Sequence, residues 1–165
     1  MRVKEHILAL AVCLLGLAAC TNNNPPEVGA PVDPRDAFVG TYDYTSTGNL
    51  DIYLAGTKVY SFPLNKNGSF DIVKEEAESK VAIVGAIIGE RDSIHAVVTG
   101  NQLELENNSA SYTENGLAIQ IELDYDKATL TGNQLVWAAD MMGIGTYQSY
   151  SINGSGHIAV SATKQ

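Results

Sequence analysis

Side chains able to do chemistry are few and scattered along this chain. Cys13 and Cys20 are its two cysteines, and His6, His95 and His157 its three histidines. No histidine lies in an H-E-x-x-H helix motif or a Cys/His zinc spacing, so no metal ligand is expected. His95, between Ile94 and Ala96, is expected on the wetter face of a strand, and His157, after Ser155-Gly156, at the edge of a turn. An activated serine needs a base and an exposed elbow. Gly154-Ser155-Gly156 is too short for that and falls among turn residues. Carboxylates two apart on a strand share a face, and such pairs can divide acid and base roles in glycoside hydrolysis. Glu104 and Glu106, however, alternate with Leu103 and Leu105, which puts them on a solvated face where charge deters edge pairing. Asp124-Tyr125-Asp126 lacks the spacing of a calcium loop. The expectation is a protein that is not an enzyme, with no catalytic residue; a hydrolase built from His95 or His157 with a serine and an aspartate ranks third among the functions considered.

Aromatic side chains are the better candidates for a site. Tyr42, Tyr44, Tyr53 and Tyr60 gather early, and Trp137, Tyr147 and Tyr150 late. Tyrosine and tryptophan combine an apolar body with a polar tip, which suits the wall of a ligand pocket. Around Ala138 to Gly145 the apolar alternation lapses, and the pair Met141-Met142 is flexible and polarisable. A bulge, a mobile loop or a pocket rim is expected there, with Tyr42, Tyr44, Trp137, Met141, Met142 and Tyr147 as possible ligand-lining residues.

The N-terminus holds a clearer signal. Arg2 and Lys4 precede an apolar run from Ile7 to Leu15, and Leu17-Ala18-Ala19 precede Cys20. A basic start, a short apolar stretch and small residues before a cleavage point describe a secretory signal. The run is too short for a hydrocarbon core that takes about 20 apolar residues to cross. Leu17-Ala18-Ala19-Cys20 resembles the lipobox of bacterial lipoproteins. That resemblance implies cleavage after Ala19 and a covalent lipid, diacylglycerol and palmitate-type chains, on Cys20; no other cofactor is expected. The mature protein would then contain no other thiol and no disulfide.

Residues 1–19 are therefore expected to be a signal peptide, 20–33 a lipidated cysteine with a disordered tether, and 34–165 a single β-barrel domain. The tether sequence TNNNPPEVGAPV is polar, proline-rich and without apolar periodicity. Removing Arg2, Lys4 and Glu5 leaves eight basic against eighteen acidic side chains, a net charge of −10. So acidic a surface excludes nucleic acid, whose phosphates demand lysine and arginine. The residue after Cys20 is Thr21 rather than aspartate, and Asn22-Asn23-Asn24 is not acidic. In the bacterial lipoproteins this N-terminus resembles, aspartate after the cysteine signals inner-membrane retention and an acidic cluster signals surface export, so the resemblance implies an outer-membrane position facing the periplasm.

The elements that must position these residues are strands. Asp33-Pro34 offers an N-cap followed by a first-turn proline for a short helix. Beyond Phe38, Leu50/Ile52/Leu54, Leu103/Leu105, Leu117/Ile119/Ile121/Leu123 and Ile158/Val160/Ala162 alternate with other residues, the period-two mark of half-buried strands. Ala55-Gly56, Lys66-Asn67-Gly68, Gly100-Asn101, Asn115-Gly116, Gly132-Asn133 and Asn153-Gly154 supply turn signals at hairpin spacing. Nine or ten strands are expected, with Glu75 to Lys80 a helical turn at most. The fold class is all-β, an antiparallel meander closing into a barrel, with a β-sandwich as the alternative. Val98-Thr99-Gly100-Asn101-Gln102-Leu103 recurs as Leu130-Thr131-Gly132-Asn133-Gln134-Leu135, and is expected to be one good hairpin turn used twice.

A short helix followed by Phe38-Val39-Gly40-Thr41-Tyr42, a strand opening on Gly-x-aromatic, resembles the start of lipocalins and related calycin barrels. With its lipobox, tether and meander, the chain is similar to the lipocalin-like lipoproteins of Bacteroidetes. Lipocalins carry tryptophan where this chain has Tyr42, and stack on it a late-strand arginine for which the C-terminal strand offers Lys164. The resemblance implies a barrel whose interior or mouth holds a small apolar ligand. The expected function is non-enzymatic binding of a small hydrophobic ligand or an envelope partner by a membrane-tethered domain. The alternative is a structural or accessory subunit, or an inhibitor, of a cell-envelope complex.

Overall fold

A 3-10 turn (Pro34–Ala37) leads into eleven strands: β1 (Gly40–Leu54), β2 (Thr57–Pro63), β3 (Lys66–Lys74), β4 (Lys80–Gly85), β5 (Asp92–Thr99), β6 (Gln102–Leu105), β7 (Asn108–Glu114), β8 (Leu117–Tyr125), β9 (Ala128–Thr131), β10 (Gln134–Tyr147) and β11 (Tyr150–Lys164). This computed structural model describes residues 32–87, 92–114 and 116–165. The expected signal peptide, Cys20 and nearly all of the expected tether lie outside the described residues.

Eight strands close on themselves in the antiparallel order β11-β1-β3-β4-β5-β6-β9-β10, with β10 returning to β11. The barrel alternative is the one adopted. The remaining strands are extensions of that ring. β1, β10 and β11 are 14 or 15 residues long and continue past the ring. There β2 pairs with the far half of β1, and β8 with the far half of β10, carrying β7 on its outer side. β2 and β3 thus follow β1 in succession, β8 and β9 follow β10, and β6 and β7 follow β9 and β8. The chain is an eight-stranded up-and-down meander in which three strands break near the middle, which is why eleven segments appear where nine or ten are expected. The consequence is a complete ring in one half and a six-strand curl, β2-β1-β11-β10-β8-β7, in the other.

Inward side chains are apolar in both halves. Phe38, Tyr42, Ile72, Val81, Ile83 and Leu103 are among the fully buried residues of the ring. Leu50, Ile52, Ile119, Ile121, Met141 and Ile152 fill the curl. The 3-10 turn closes the ring's end. Asp33 caps it by accepting from the Arg35 backbone N–H at 3.0 Å, and Phe38 points inward as a plug. Lys164 is the register partner of Tyr42 and donates to the Ala37 carbonyl at 3.0 Å. The two positions singled out from the lipocalin motif therefore meet across β1 and β11.

Four of the six expected turn signals mark turns, that at Asn115-Gly116 through Gly116 alone because Asn115 lies outside the described residues, and the duplicated hexapeptide is one turn made twice. Thr99 pairs with Gln102 around Gly100-Asn101, and Thr131 with Gln134 around Gly132-Asn133. Each asparagine carbonyl also accepts a backbone N–H from beyond its own hairpin, of Leu130 and Lys164 respectively. The other two signals are corrected. Gly68 lies inside β3 and Gly154 inside β11. A Cβ on Gly68 would stand 2.9 Å from Cε1 of the Tyr44 ring, and one on Gly154 2.7 Å from Cδ1 of Ile119. These glycines make room for side chains crossing the strand; they do not turn the chain. Glu75 to Lys80 forms bends and a turn rather than helix.

Candidate functional site

The expected ligand-lining residues divide into three places. Tyr42, Tyr44 and Trp137 point into the ring from β1 and β10, where Phe70 of β3 ties them together. Its ring stacks on Tyr42 at 5.4 Å, tilts against Tyr44 at 5.8 Å and meets Trp137 edge-on at 5.7 Å. Tyr42 is wholly buried and Trp137 only 5 % exposed, so these rings fill the middle of the barrel. Their polar tips are satisfied: the Tyr42 hydroxyl donates to the Phe38 carbonyl and that of Tyr44 to the Ala86 carbonyl, each at 2.8 Å. Burial raises both phenol pKa values, because the phenolate would lose its water.

Met141 is buried in the curl, Met142 is 69 % exposed on the outer face, and Tyr147, on Met141's side of the strand, is 41 % exposed at its end. Consecutive strand residues face opposite ways, so Met141 and Met142 cannot share a pocket. The stretch Ala138–Gly145 is a regular strand, not a bulge or a mobile loop. Its alternation was hidden because inward Gly143 and Gly145 carry no side chain to mark the period. A Cβ on Gly143 would stand 2.7 Å from Cδ1 of Ile119.

Titratable chemistry gathers instead on the outer face, around the level where the strands leave the ring. His157 sits inside β11, not at a turn, directly opposite Asn49 of β1 and Asp140 of β10; Asp140 lies opposite Asp124 of β8. The His157 Nδ1 is 2.8 Å from the Asp140 carboxylate, and Asn107 donates to Asp124 at 3.0 Å. A polar rung, Asn49–His157–Asp140–Asp124–Asn107, thus crosses the sheet. Beside it, Asn107, Asn108, Ser109, Glu122, Asp124, Asp140 and Met142 line an open groove of about 680 Å³. Sequence reading missed this rung because its members lie 16 to 108 positions apart. Only register brings them together.

His95 is on the wet face of β5, as expected, and its Nδ1 contacts the Glu75 carboxylate. Glu104 and Glu106 are solvated, paired with Lys127 at 2.6 Å and Lys80 at 2.8 Å. The Lys80 ammonium lowers the Glu106 pKa and is itself raised by that carboxylate. Both imidazoles bond carboxylates, which hold each ring in place, and both lie exposed to water. Among the described residues no group of three or more His, Cys, Asp or Glu is arranged to hold a metal ion. Searched against protein-family models and curated proteins, the chain matches none.

Proposed function

We propose that this protein is a lipid-anchored lipoprotein of the bacterial envelope that carries a lipocalin-like barrel on a short tether and works by binding, not by catalysis. The lipobox-like Leu17-Ala18-Ala19-Cys20 supports the anchor. The eight-strand meander, with a plugged end where Tyr42 faces Lys164, supports kinship with calycin barrels. Of the two kinds of ligand, an envelope partner fits better. The observation carrying that choice is the packed Tyr42–Phe70–Trp137 array in the ring, which leaves the outer groove and its polar rung as the recognition surface. The test is native mass spectrometry of the protein purified from its own host membranes. The mature chain should begin at a lipid-modified Cys20 and retain a second protein. Cys20→Ser should move it to the soluble fraction. A bare, unmodified chain would sink the reading.

One feature supports the second reading, a small apolar ligand. In the curl, β2 and β7 face one another without a ladder, and the gap is spanned by Phe62 meeting Tyr112 edge-on at 5.7 Å, with Tyr60 packed on Phe62 at 4.3 Å. Side-chain rings can swing where a backbone ladder cannot. A co-purifying lipid in the same spectrum, lost on Phe62→Ala, would favour this reading over a protein partner.

A further inference from the structure

The outer face of the curl exposes apolar side chains where a solvated sheet has no need of them. Met142 and Ile144, two apart on β10, are 69 % and 71 % exposed, more than any other large apolar side chain in the described strands. β10 is not an edge there, because β8 and β11 pair with it on either side. Its neighbours on that face are polar: Glu122 and Ser155 flank Met142, and Gln120 and Asn153 flank Ile144. A second groove, of about 440 Å³, opens beside Ile144 and shares Glu122 and Met142 with the groove already described. Apolar side chains set in a groove and rimmed by polar ones mark an interaction site.

Charge decides the occupant. Asp51, Glu104 and Glu106 are each paired with a lysine. Among the described residues, Glu122, Asp124 and Asp140 form no ion pair with a lysine or arginine, and Asp140 has the His157 imidazole as its partner. A second copy docked face to face across a two-fold axis would set these carboxylates against their own counterparts. An anionic lipid surface would be repelled in the same way. We infer that the groove takes an extended segment of a partner protein, basic at one end and bulky and apolar at the other. The inference rests on the partner reading above and supplies the chemistry of that partner. Outward positions along β10 run Asp140, Met142, Ile144, in steps of about 7 Å, which is also the repeat of alternate residues in an extended segment. A segment laid along β10 therefore keeps step with it. A lysine or arginine falls over Asp140, with Asp124 directly across from it, and apolar side chains fall over Met142 and Ile144. Glu122, across from Met142, holds a further cation beside the apolar pair. The flexible thioether of Met142 adapts to the side chain it meets.

The test uses the full-length protein in detergent and a labelled peptide, GKKSLSLG, read by fluorescence anisotropy against a detergent-only blank. Wild type should bind the peptide. Met142→Ser with Ile144→Ser, or Asp124→Asn with Asp140→Asn, should each weaken binding roughly tenfold. Glu104→Gln with Val136→Ser removes the same kinds of group from elsewhere on the outer surface, and should leave binding unchanged. All these side chains face water, so the circular dichroism melts should coincide. The peptides GEESLSLG and GKKSSSSG should bind roughly tenfold more weakly than GKKSLSLG. No binding, equal binding of GKKSSSSG, or equal loss in the control variant would overturn the inference. A wild type that sediments as two protomers, and as one after Met142→Ser with Ile144→Ser, would overturn it in favour of a second copy. Native mass spectrometry of the same variants from host membranes separates the two readings. A second protein retained equally by wild type and the groove variants would overturn the groove's role and leave the partner standing. A bare chain that still binds GKKSLSLG through these residues would overturn the partner and uphold the groove's chemistry.

Discussion

At the scale of single residues, the first strand does more than supply apolar bulk. Its inward residues Tyr42, Tyr44 and Ser46 each donate a hydroxyl to a connecting segment: Phe38 at the plug, Ala86 after β4 and Leu64 before β3. Ser46 also accepts the Lys66 N–H at 3.1 Å, closing the break between β2 and β3. An unsatisfied buried carbonyl costs about 1–3 kcal/mol, so Tyr42→Phe should destabilise by that order in urea unfolding, without loss of the fold. Asp33 provides a pH-dependent latch. The Arg35 guanidinium, and after it the Lys74 ammonium, hold its carboxyl far below the usual carboxylate range; Lys74 lies 2.9 Å away. A carboxylate with a depressed folded-state pKa contributes stability that is complete above its unfolded value, about 3.9, and is lost as pH falls through the folded one. Wild type should therefore exceed Asp33→Asn in stability at pH 7, and the difference should shrink below about pH 4. Equal unfolding midpoints at neutral pH would rule the latch out. The Asp33-Pro34 cap was legible because capping is local. Lys74 was not, because 41 positions separate it from Asp33.

At the scale of elements, the legible strands were those whose inward positions all carry side chains. β8 reads Leu117, Ile119, Ile121, Leu123 and is found so. β10 and β11 were obscured where glycine replaces the inward residue, and glycine is also the strongest turn signal. Its role separates by what surrounds it. At Gly56, Gly100 and Gly132 φ is positive and a Cβ would meet nothing within 4 Å. At Gly156 a Cβ would stand 2.2 Å from the Asn49 carbonyl oxygen, and at Gly48 2.1 Å from that of His157. β1 and β11 thus approach too closely for any side chain where they pass from ring to curl. Gly156→Ala has backbone as its obstacle, so its cost should reach or exceed the about 1–3 kcal/mol typical of overpacking. Gly143→Ala meets the Ile119 side chain first, with the Gln120 carbonyl oxygen no nearer than 3.2 Å, and should cost less, a ranking that urea midpoints decide. The β10–β11 hairpin runs the other way: Gln148 and Ser149, neither glycine, hold φ of 47° and 74°. Replacing them with Asn-Gly should stabilise by roughly 1 kcal/mol, since both residues favour the turn those angles describe.

At the scale of the whole domain, the question is whether ring and curl are one cooperative unit. Hydrogen bonding along β1, β10 and β11 is continuous from one half to the other: β1 and β11 pair from Tyr42↔Lys164 to Leu54↔Ile152, and β10 and β11 from Gln134↔Thr163 to Tyr147↔Tyr150. The curl cannot open without releasing strands that also form three of the eight staves of the ring. Ile52, buried in the curl, and Ile72, buried in the ring, allow the point to be tested, because Trp137 lies in the ring and is the chain's one tryptophan. Truncating a buried isoleucine to alanine costs about 2–5 kcal/mol. If the long strands couple the halves, Ile52→Ala and Ile72→Ala should both lower the Trp137 fluorescence midpoint, and fluorescence should coincide with circular dichroism in each protein. Were the halves independent, Ile52→Ala would leave the tryptophan transition in place and split the dichroism curve in two. Coupling would also give the outer polar rung its setting. A partner bound across β1, β11, β10 and β8 would grip the strands that hold both halves together, and so stabilise the entire domain.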